Sequence, residues 1–368
     1  MILDVGSVGH GGICIAHAPD GRAVFVRHAL PGERVRVEIT EERTSYLRAD
    51  AVEVLTPSVH RVVPPCSSAG PGRCGGCDWQ HVSLDEQRRL KAAVVGEALR
   101  RIAGLDVVVE VEAVPGDVDG LHWRTRLRLA VDEEGVAGLH RHRSHEVEPI
   151  ADCLLAHPDL PVASVLAQRW PGNDGVDLVT TDIEHAVGRD WRIPSGGFWQ
   201  VHPGAPDVLT ETVLDFARVR PSDVCLDLYC GVGLFAATLA PQAVTGRVIA
   251  VESDGSAAAA GRSNLADLDN VTVVTGRVDR WLARSKPSAD VIVLDPPRKG
   301  AGRAVVDGIA AAAPRRVVYV ACDPSSLARD VALLAGHGYR LESMRAFDLF
   351  PMTAHVECVA LLVPEDQN

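Results

Sequence analysis

From about Pro206 onward the chain alternates short apolar, β-branched runs with alanine-rich helical segments, and few architectures satisfy that alternation. The apolar runs are 224–228, 248–251, 271–274, 291–294 and 317–321, and the helical segments between and after them are 234–240, 256–268, 303–313 and 325–336. Runs this continuously apolar cannot leave one side in water, so they read as strands buried on both faces. Strand–helix repetition at this spacing predicts a parallel sheet covered by helices on both sides. Two further strand-like runs, 340–347 and 355–363, close the chain.

In an open α/β sheet, ligands bind outside the carboxyl ends of the strands. The fifth run, in RRVVYVACDP, brings Cys322 to such an end, because Pro324 cannot continue a central ladder. A lone cysteine is more often a buried small hydrophobe than a nucleophile, so its neighbours decide. The first run leads into Asp227-Leu-Tyr-Cys-Gly231-Val-Gly233, whose glycines permit a tight turn and close backbone approach to a ligand. Glu252 ends the next strand, about twenty residues on, where an acid binds ribose hydroxyls. The loop lacks the third glycine and the Lys-Ser/Thr of a phosphate cradle, so a cofactor without pyrophosphate fits, and S-adenosylmethionine is the candidate. Asp295-Pro-Pro-Arg-Lys-Gly300 ends the fourth run, and two prolines there make a rigid platform for a planar base. Base N-methyltransferases follow a similar Asp-Pro-Pro with an aromatic residue, where this chain has Arg298, and RNA cytosine-C5 enzymes carry a cysteine in this loop, which is absent here.

Upstream, residues 1–60 read as a small β-barrel, with strand-like runs at 12–16, 22–27, 33–39 and 47–55 split by turn signals at Asp20-Gly21 and Pro31-Gly32. Arg22, Arg27, His28, Arg34 and Arg36 could face phosphate or simply solvent. Cys66, Cys74 and Cys77 follow in PPCSSAGPGRCGGCDWQH, with Cys153 in ADCLLA as the natural fourth ligand of a metal site. The spacing leaves an iron–sulfur cluster, zinc and a redox dithiol open. Nine cysteines argue for such roles because the start of the chain has no basic, apolar leader and no run long enough to span a membrane, which predicts a reducing, cytoplasmic setting.

A helix is expected over 83–103, with Ser83 and Glu86 as a capping box, followed by strands at 107–114 and 123–131. The second strand puts Arg124, Arg126 and Arg128 on one face, and HRHRSHEVEP (140–149) adds a second basic cluster. Together they form the best candidate nucleic-acid surface in a chain whose net charge of −12 argues against a wholly phosphate-gripping exterior. Residues 154–197 carry little signal beyond a loop near 158–175 and strands within 176–193.

DLYCGVG, DPPRKG, YVACDP and FDLFPMTAHVE, in this order, resemble the RNA uracil-C5 methyltransferase family. GHGGICIAHAPDGRAVFVRHALPGERVRVEI resembles a TRAM domain, an OB-like RNA-binding barrel, and together with the four-cysteine segment it is similar to the ribosomal RNA branch of that family. The resemblance implies an α/β protein: a Rossmann-like class I S-adenosylmethionine methyltransferase domain (206–368), an N-terminal OB-like barrel (1–60) and a small central α+β domain (61–205). It implies that Cys322 is the nucleophile and Glu357 the base, and that Gln200 (in GGFWQVHP), Tyr229, Glu252 and Asp295 contact S-adenosylmethionine. It also implies that Cys66, Cys74, Cys77 and Cys153 hold a 4Fe-4S cluster. Cys14, Cys225, Cys230 and Cys358 are read as buried small side chains.

Leu234, Arg277, Met352 and Ala354 depart from the family pattern, and the segment before Gly196 is short for it. The expected partner is ribosomal RNA, with transfer RNA as the alternative target, no membrane, and a monomeric enzyme. An RNA-binding assembly factor that has lost turnover is the reading from another class.

Overall fold

The computed structural model describes residues 1–365. The chain divides into two compact units, each assembled from separated stretches: Met1–Val94, Gly116–Thr180 and Asp348–His355 in one, Val95–Pro115, Thr181–Phe347 and the chain from Val356 onward in the other. In chain order the elements are β1 (Ile2–Asp4), β2 (Cys14–His17), β3 (Ala23–Arg27), β4 (Arg34–Glu42), β5 (Tyr46–Thr56), α1 (Leu84–Ala98) and β6 (Val111–Glu112). They continue with β7 (Arg126–Val131), β8 (Ala137–His140), β9 (Val147–Glu148), α2 (Val162–Leu166), β10 (Gly175–Val179), β11 (Ile183–Ala186), β12 (Arg189–Arg192) and α3 (Ala205–Ala217). The remainder is β13 (Val224–Leu228), α4 (Leu234–Leu239), β14 (Arg247–Glu252), α5 (Gly255–Asn264), β15 (Val271–Thr275), α6 (Val278–Ser285), β16 (Val291–Leu294) and α7 (Arg303–Ala312). It ends with β17 (Arg316–Ala321), α8 (Pro324–Ala335), β18 (Tyr339–Phe347) and β19 (Glu357–Pro364).

In the first unit, five strands form a sheet ordered β1-β4-β5-β3-β2. Alternate residues of β3 and β5 are buried, so Val24, Val26, Leu47, Ala49 and Ala51 point inward with Val35 and Val37 of β4. Register shifts between β4 and β5 curl the sheet, and its edges meet where Gly6 N–H donates to the Ile15 carbonyl at 2.8 Å and Ile15 N–H to that of Ser7 at 2.9 Å. A Cβ on Gly6 would stand 2.7 Å from the Ile15 oxygen, so glycine is required for the closure. Beside the barrel lies a second sheet ordered β10-β7-β8-β9.

Helix α1 anchors the distant segment 348–355. Gln87 accepts from Met352 N–H at 2.8 Å and donates to the Trp79 and Val82 carbonyls, while the Lys91 ammonium pairs with Asp348 and donates to the Phe350 carbonyl at 3.0 Å. Lys91 and Asp348 are both fully buried. Such a pair adds little net stability but leaves an uncompensated charge if one partner is lost. The expected capping box at Ser83 gives way to another arrangement: the Glu86 carboxylate pairs with Arg89 at 2.8 Å, one helical turn away.

The second unit holds an eight-stranded sheet, ordered β15-β14-β13-β16-β17-β19-β18-β6, and a separate two-stranded one, β11-β12. The pairs from β15 through β17 are parallel, whereas β19 runs antiparallel to both β17 and β18. Its central strands are buried on both faces, with every residue of β16 inside, as their unbroken Val/Ile/Leu runs require. Each such side chain contributes about 1.5–3 kcal/mol by leaving water. Helices α3 and α6 were not expected. The β-branched content of α3 weakens its intrinsic helix signal, and burial of Leu209, Val213 and Phe216 on one face overrides that weakness. Of the expected strand 107–114 only Val111–Glu112 pairs, and Val108 is almost fully exposed. Among the described residues no helix is long and apolar enough to cross a membrane.

Candidate active site at the carboxyl edge of the sheet

The chain runs from β13 outward through β14 to β15, then returns to start β16 on the other side of β13. That reversal opens a crevice at the carboxyl ends of β13 and β16, the usual ligand position in a doubly wound sheet. Five strand ends converge on this edge: Leu228 before Tyr229, Glu252, Leu294 before Asp295, Ala321 before Cys322, and the start of antiparallel β19 at Glu357.

Gly231 and Gly233 both take positive φ (55° and 99°), as does Tyr229 (65°), which bends the chain sharply off β13. A Cβ on Gly233 would meet Leu265 Cδ1 at 2.6 Å. Gly231 N–H donates to Glu252 Oε2 at 3.0 Å, and Glu252 Oε1 accepts from Asp254 N–H at 2.7 Å, so the acid at the end of β14 also braces the loop after β13. Asp227 is fully buried; its Oδ2 accepts from Ala236 N–H at 2.8 Å and, among the described residues, its Oδ1 has no hydrogen-bond partner. Burial pushes its carboxyl up to about 7.

The β17–β19 register pairs Ala321 with Cys358, which puts Cys322 level with Glu357 one step along. Cys322 is half-buried and Glu357 buried. Burial, then the Glu357 and Asp295 charges, push the Cys322 thiol up to about 11, and Arg298 opposes them. The carboxyls of Glu357 and Asp295 are both held high, chiefly by enclosure in protein; for Glu357 the Asp295 charge adds to this and Arg298 again opposes. Arg298 itself is exposed on the Asp-Pro-Pro platform. A thiol, two carboxyls raised by burial and a cation thus share this edge. Such a group can form and release a covalent bond while moving one proton.

Gln200 is buried on the segment leading into α3, beside Trp199, which packs on Trp191 with ring centroids 5.6 Å apart. Phe198, two residues earlier, is 71% exposed beside Gly196 and Gly197 and was not singled out from the sequence; its aromatic ring in a glycine-flanked loop was the available signal. Leu234 is buried at the start of α4. Arg277 is the residue before α6, and its guanidinium binds Asp279 at 2.7 and 3.1 Å, holding that carboxyl down to about 2. Asp279 also acts on Tyr229, so an acid absent at 277 is present two residues later in the field of the cofactor-type loop.

In the other unit, Cys66, Cys74, Cys77 and Cys153 line one small cavity with Leu139, Ile150 and Leu155. Cys74 Sγ accepts from Gly76 N–H and Cys77 Sγ from Gln80 Nε2, both at 3.4 Å. Burial raises the thiols of Cys74 and Cys153 and pushes Cys77 up to about 12, with the neighbouring sulfurs adding to the shift. Soft donors gathered in an enclosed pocket with N–H groups aimed at sulfur suit a thiophilic metal centre. Among the described residues no three His, Cys, Asp or Glu groups stand close enough together to hold a metal ion. Cys14, Cys225, Cys230 and Cys358 are buried.

Much of the basic surface of this unit is matched by its own acids. Arg128 pairs with Asp174 and Asp177, Arg141 with Glu146 and Glu148, Arg22 with Asp20 and Glu42, and Arg36 with Glu53. Arg124 stacks over Trp123 at 5.9 Å, and Arg48 covers the rings of Phe25 (5.7 Å) and Tyr46 (5.5 Å).

Comparison with known proteins bears on this arrangement. Residues 2–52 match the TRAM domain, 204–318 the methyltransferase small domain, and 283–365 the tRNA (Uracil-5-)-methyltransferase family. The chain is 44% identical to an uncharacterized RNA methyltransferase of Streptomyces avermitilis over 98% of both chains. It is 43% identical to one of Streptomyces coelicolor over 98% of this chain and 92% of that one, and 38% identical to one of Bifidobacterium longum over 95% and 93%. Its fold is similar to that of the Pyrococcus abyssi tRNA (uracil-54, C5)-methyltransferase crystallised with S-adenosyl-L-homocysteine, with a TM-score of 0.71 at 22% identity over 99% of this chain and 100% of that one. With its class I methyltransferase sheet, its TRAM domain and these relatives, the chain belongs to the TRAM-containing RNA methyltransferases of the uracil-C5 family.

Proposed function

We propose that this enzyme methylates C5 of a uridine in ribosomal RNA, with Cys322 as nucleophile and Glu357 as base. The observation that carries the reading is the register of β17 and β19, which brings a thiol level with a carboxyl at the sheet edge bearing the 227–233 loop. C5 of uracil is too weak a nucleophile to take a methyl group from a sulfonium unaided. Addition of the Cys322 thiolate to C6 forms an S–C6 bond and moves the ring electrons into an enolate, whose C5 then takes up the methyl group as the sulfonium S–CH3 bond breaks and its electron pair stays on the donor sulfur. Glu357 accepts the C5 proton, the electron pair returns to the ring, and the S–C6 bond breaks to regenerate the thiolate. The target base must be turned out of its stack to reach both groups.

S-adenosylmethionine, when bound, supplies the electrophilic methyl and a positive charge. Gln200, Tyr229, Glu252 and Asp295 hold it in this reading, with Glu252 on the ribose. With its thiol pushed up to about 11, Cys322 is predominantly un-ionised at neutral pH. Arg298 is the side chain at this edge that favours the thiolate.

Cys66, Cys74, Cys77 and Cys153, which line one cavity, would hold a 4Fe-4S cluster and through it would tie the loop of 66–77 to the segment carrying Cys153. Anaerobically purified protein should be brown, with about four irons and four labile sulfides per chain on this assignment. Stoichiometric zinc without iron would sink it.

Ribosomal RNA is favoured by the combination of the barrel and the four-cysteine segment. The same chemistry on transfer RNA is the second reading, and the description of the family matched over 283–365 favours it. The test is to map 5-methyluridine in both RNAs from cells with and without this gene, alongside methyl incorporation by the purified enzyme. A loss confined to one RNA decides the target. No incorporation into any RNA by protein that binds S-adenosylmethionine would overturn the reading in favour of an assembly factor.

A further inference from the structure

Helix α8 begins two residues after Cys322, and one face of its first two turns is spent on the loop that carries Arg298. Ser326 Oγ lies 2.5 Å from the Arg298 carbonyl and 2.6 Å from Oδ1 of Asp323, the residue that caps the helix. Arg329 Nη2 donates to the Lys299 carbonyl at 2.5 Å. Asp330 is fully buried, and its Oδ2 accepts from Ala301 N–H at 2.7 Å, from the Tyr319 hydroxyl at 2.7 Å and from Gly302 N–H at 3.3 Å. Positions 326, 329 and 330 are spaced as one helix face.

The fit leaves no slack. Gly300 has φ +77°, and a Cβ there would stand 2.6 Å from Asp330 Oδ2, 2.5 Å from Arg329 Nη2 and 2.9 Å from Ser326 Cβ. Four loop residues flanking that glycine, 298, 299, 301 and 302, are therefore tied through their backbone to a helix that starts beside the nucleophile. A loop held only for stability could be gripped from any neighbouring element. Here the same rigid element follows Cys322 and grips the backbone of Arg298, a cation that opposes the carboxyls around it.

We propose that Ser326 and Asp330 are positioning residues that fix the Arg298 guanidinium relative to Cys322 and Glu357 by clamping the 298–302 loop to α8. The inference rests on the reading of Cys322 as nucleophile, but its test needs neither RNA nor turnover. Alkylation of Cys322 by iodoacetamide, followed by peptide mass spectrometry as a function of pH in the full-length protein, reads the thiolate directly.

Asp330→Asn and Arg298→Gln should each raise the pH midpoint by about one unit and slow alkylation at pH 8 about tenfold. Ser326→Ala should slow it about threefold, since it removes one of several ties. The deciding measurement is the double variant: if Asp330 acts through Arg298, Asp330→Asn on the Arg298→Gln background slows alkylation by less than about twofold. Full tenfold losses in both backgrounds, or unchanged alkylation in folded Asp330→Asn protein, would overturn the proposal. Should Asp330→Asn fail to fold, Ser326→Ala and its double variant with Arg298→Gln supply the same cycle. An intact cycle in a protein that makes no 5-methyluridine would overturn only the proposed function, and an additive cycle in one that does make it would overturn only the clamp.

Discussion

Cys322→Ala protein should bind S-adenosylmethionine as the parent does yet transfer no measurable methyl group to RNA, a loss of about 10⁴-fold or more of the kind seen when a covalent nucleophile is removed. The side chain is half-buried at the end of β17, and replacing its thiol with a methyl leaves the strand pairing with β16 and β19 intact, so the protein should still fold. The measurement is tritium transfer from labelled cofactor alongside calorimetric cofactor binding. Residual methylation within about a hundredfold of the parent would mean that ring activation does not pass through Cys322. The Cys322→Ser variant should be equally inert, because an alkoxide is far harder to form than a thiolate in a site that already holds the thiol near 11.

Glu357→Gln should have two effects with one cause. The amide keeps the shape of the carboxyl but cannot accept the C5 proton, so the covalent complex forms and persists. Turnover should fall at least about a hundredfold, the low end of what a general base contributes. A denaturant-resistant protein–RNA complex carrying one methyl group should accumulate in gels. The second effect is on stability. Burial holds the Glu357 carboxyl well above its ordinary range in the folded protein, so the folded chain binds this proton more tightly than the unfolded chain does. A raised carboxyl lowers stability progressively as pH climbs from the unfolded value near 4.5 toward the folded one, and the deficit persists above it. Glu357→Gln protein, free of cofactor, should therefore melt higher than the parent at pH 8 and at the same temperature below about pH 4. A variant that melts lower at pH 8 would show that the buried carboxylate is compensated in a way the present arrangement of Asp295, Arg298 and Cys322 does not supply.

The strands of the parallel sheet were legible because their evidence is local. An unbroken run such as Val291–Leu294 can be stable only with apolar cover on both faces, and a proline or glycine after each run marks where it must stop. The strand expected at 291–294 coincides with β16, and those expected at 224–228 and 317–321 differ from β13 and β17 by no more than one residue. Helix α3 was not legible, since the threonines and valines of APDVLTETVLDFA argue against a helix until their burial is known. Segment 348–355 shows the same limit in another form. In sequence it is a loop between two strands of the second unit, yet Lys91, Gln87 and Trp79 hold it within the first, and only long-range hydrogen bonds reveal that.

Of the chemistry, the sequence by itself determined which residue types stand at strand ends: an acid closing β14, a proline platform after β16, a cysteine after β17. Strand period and the backbone limits of proline and glycine act over a few residues and need no partner. Tertiary structure alone decided that Glu357 comes level with Cys322 and that α8 grips the loop bearing Arg298. It also decided that most arginines of the first unit spend their charge on neighbouring acids, and that four cysteines from two segments share one cavity. Antiparallel register, enclosure from water and charge pairing are set by what lies across the fold, and these set the protonation of the thiol and carboxyls at the edge of the sheet.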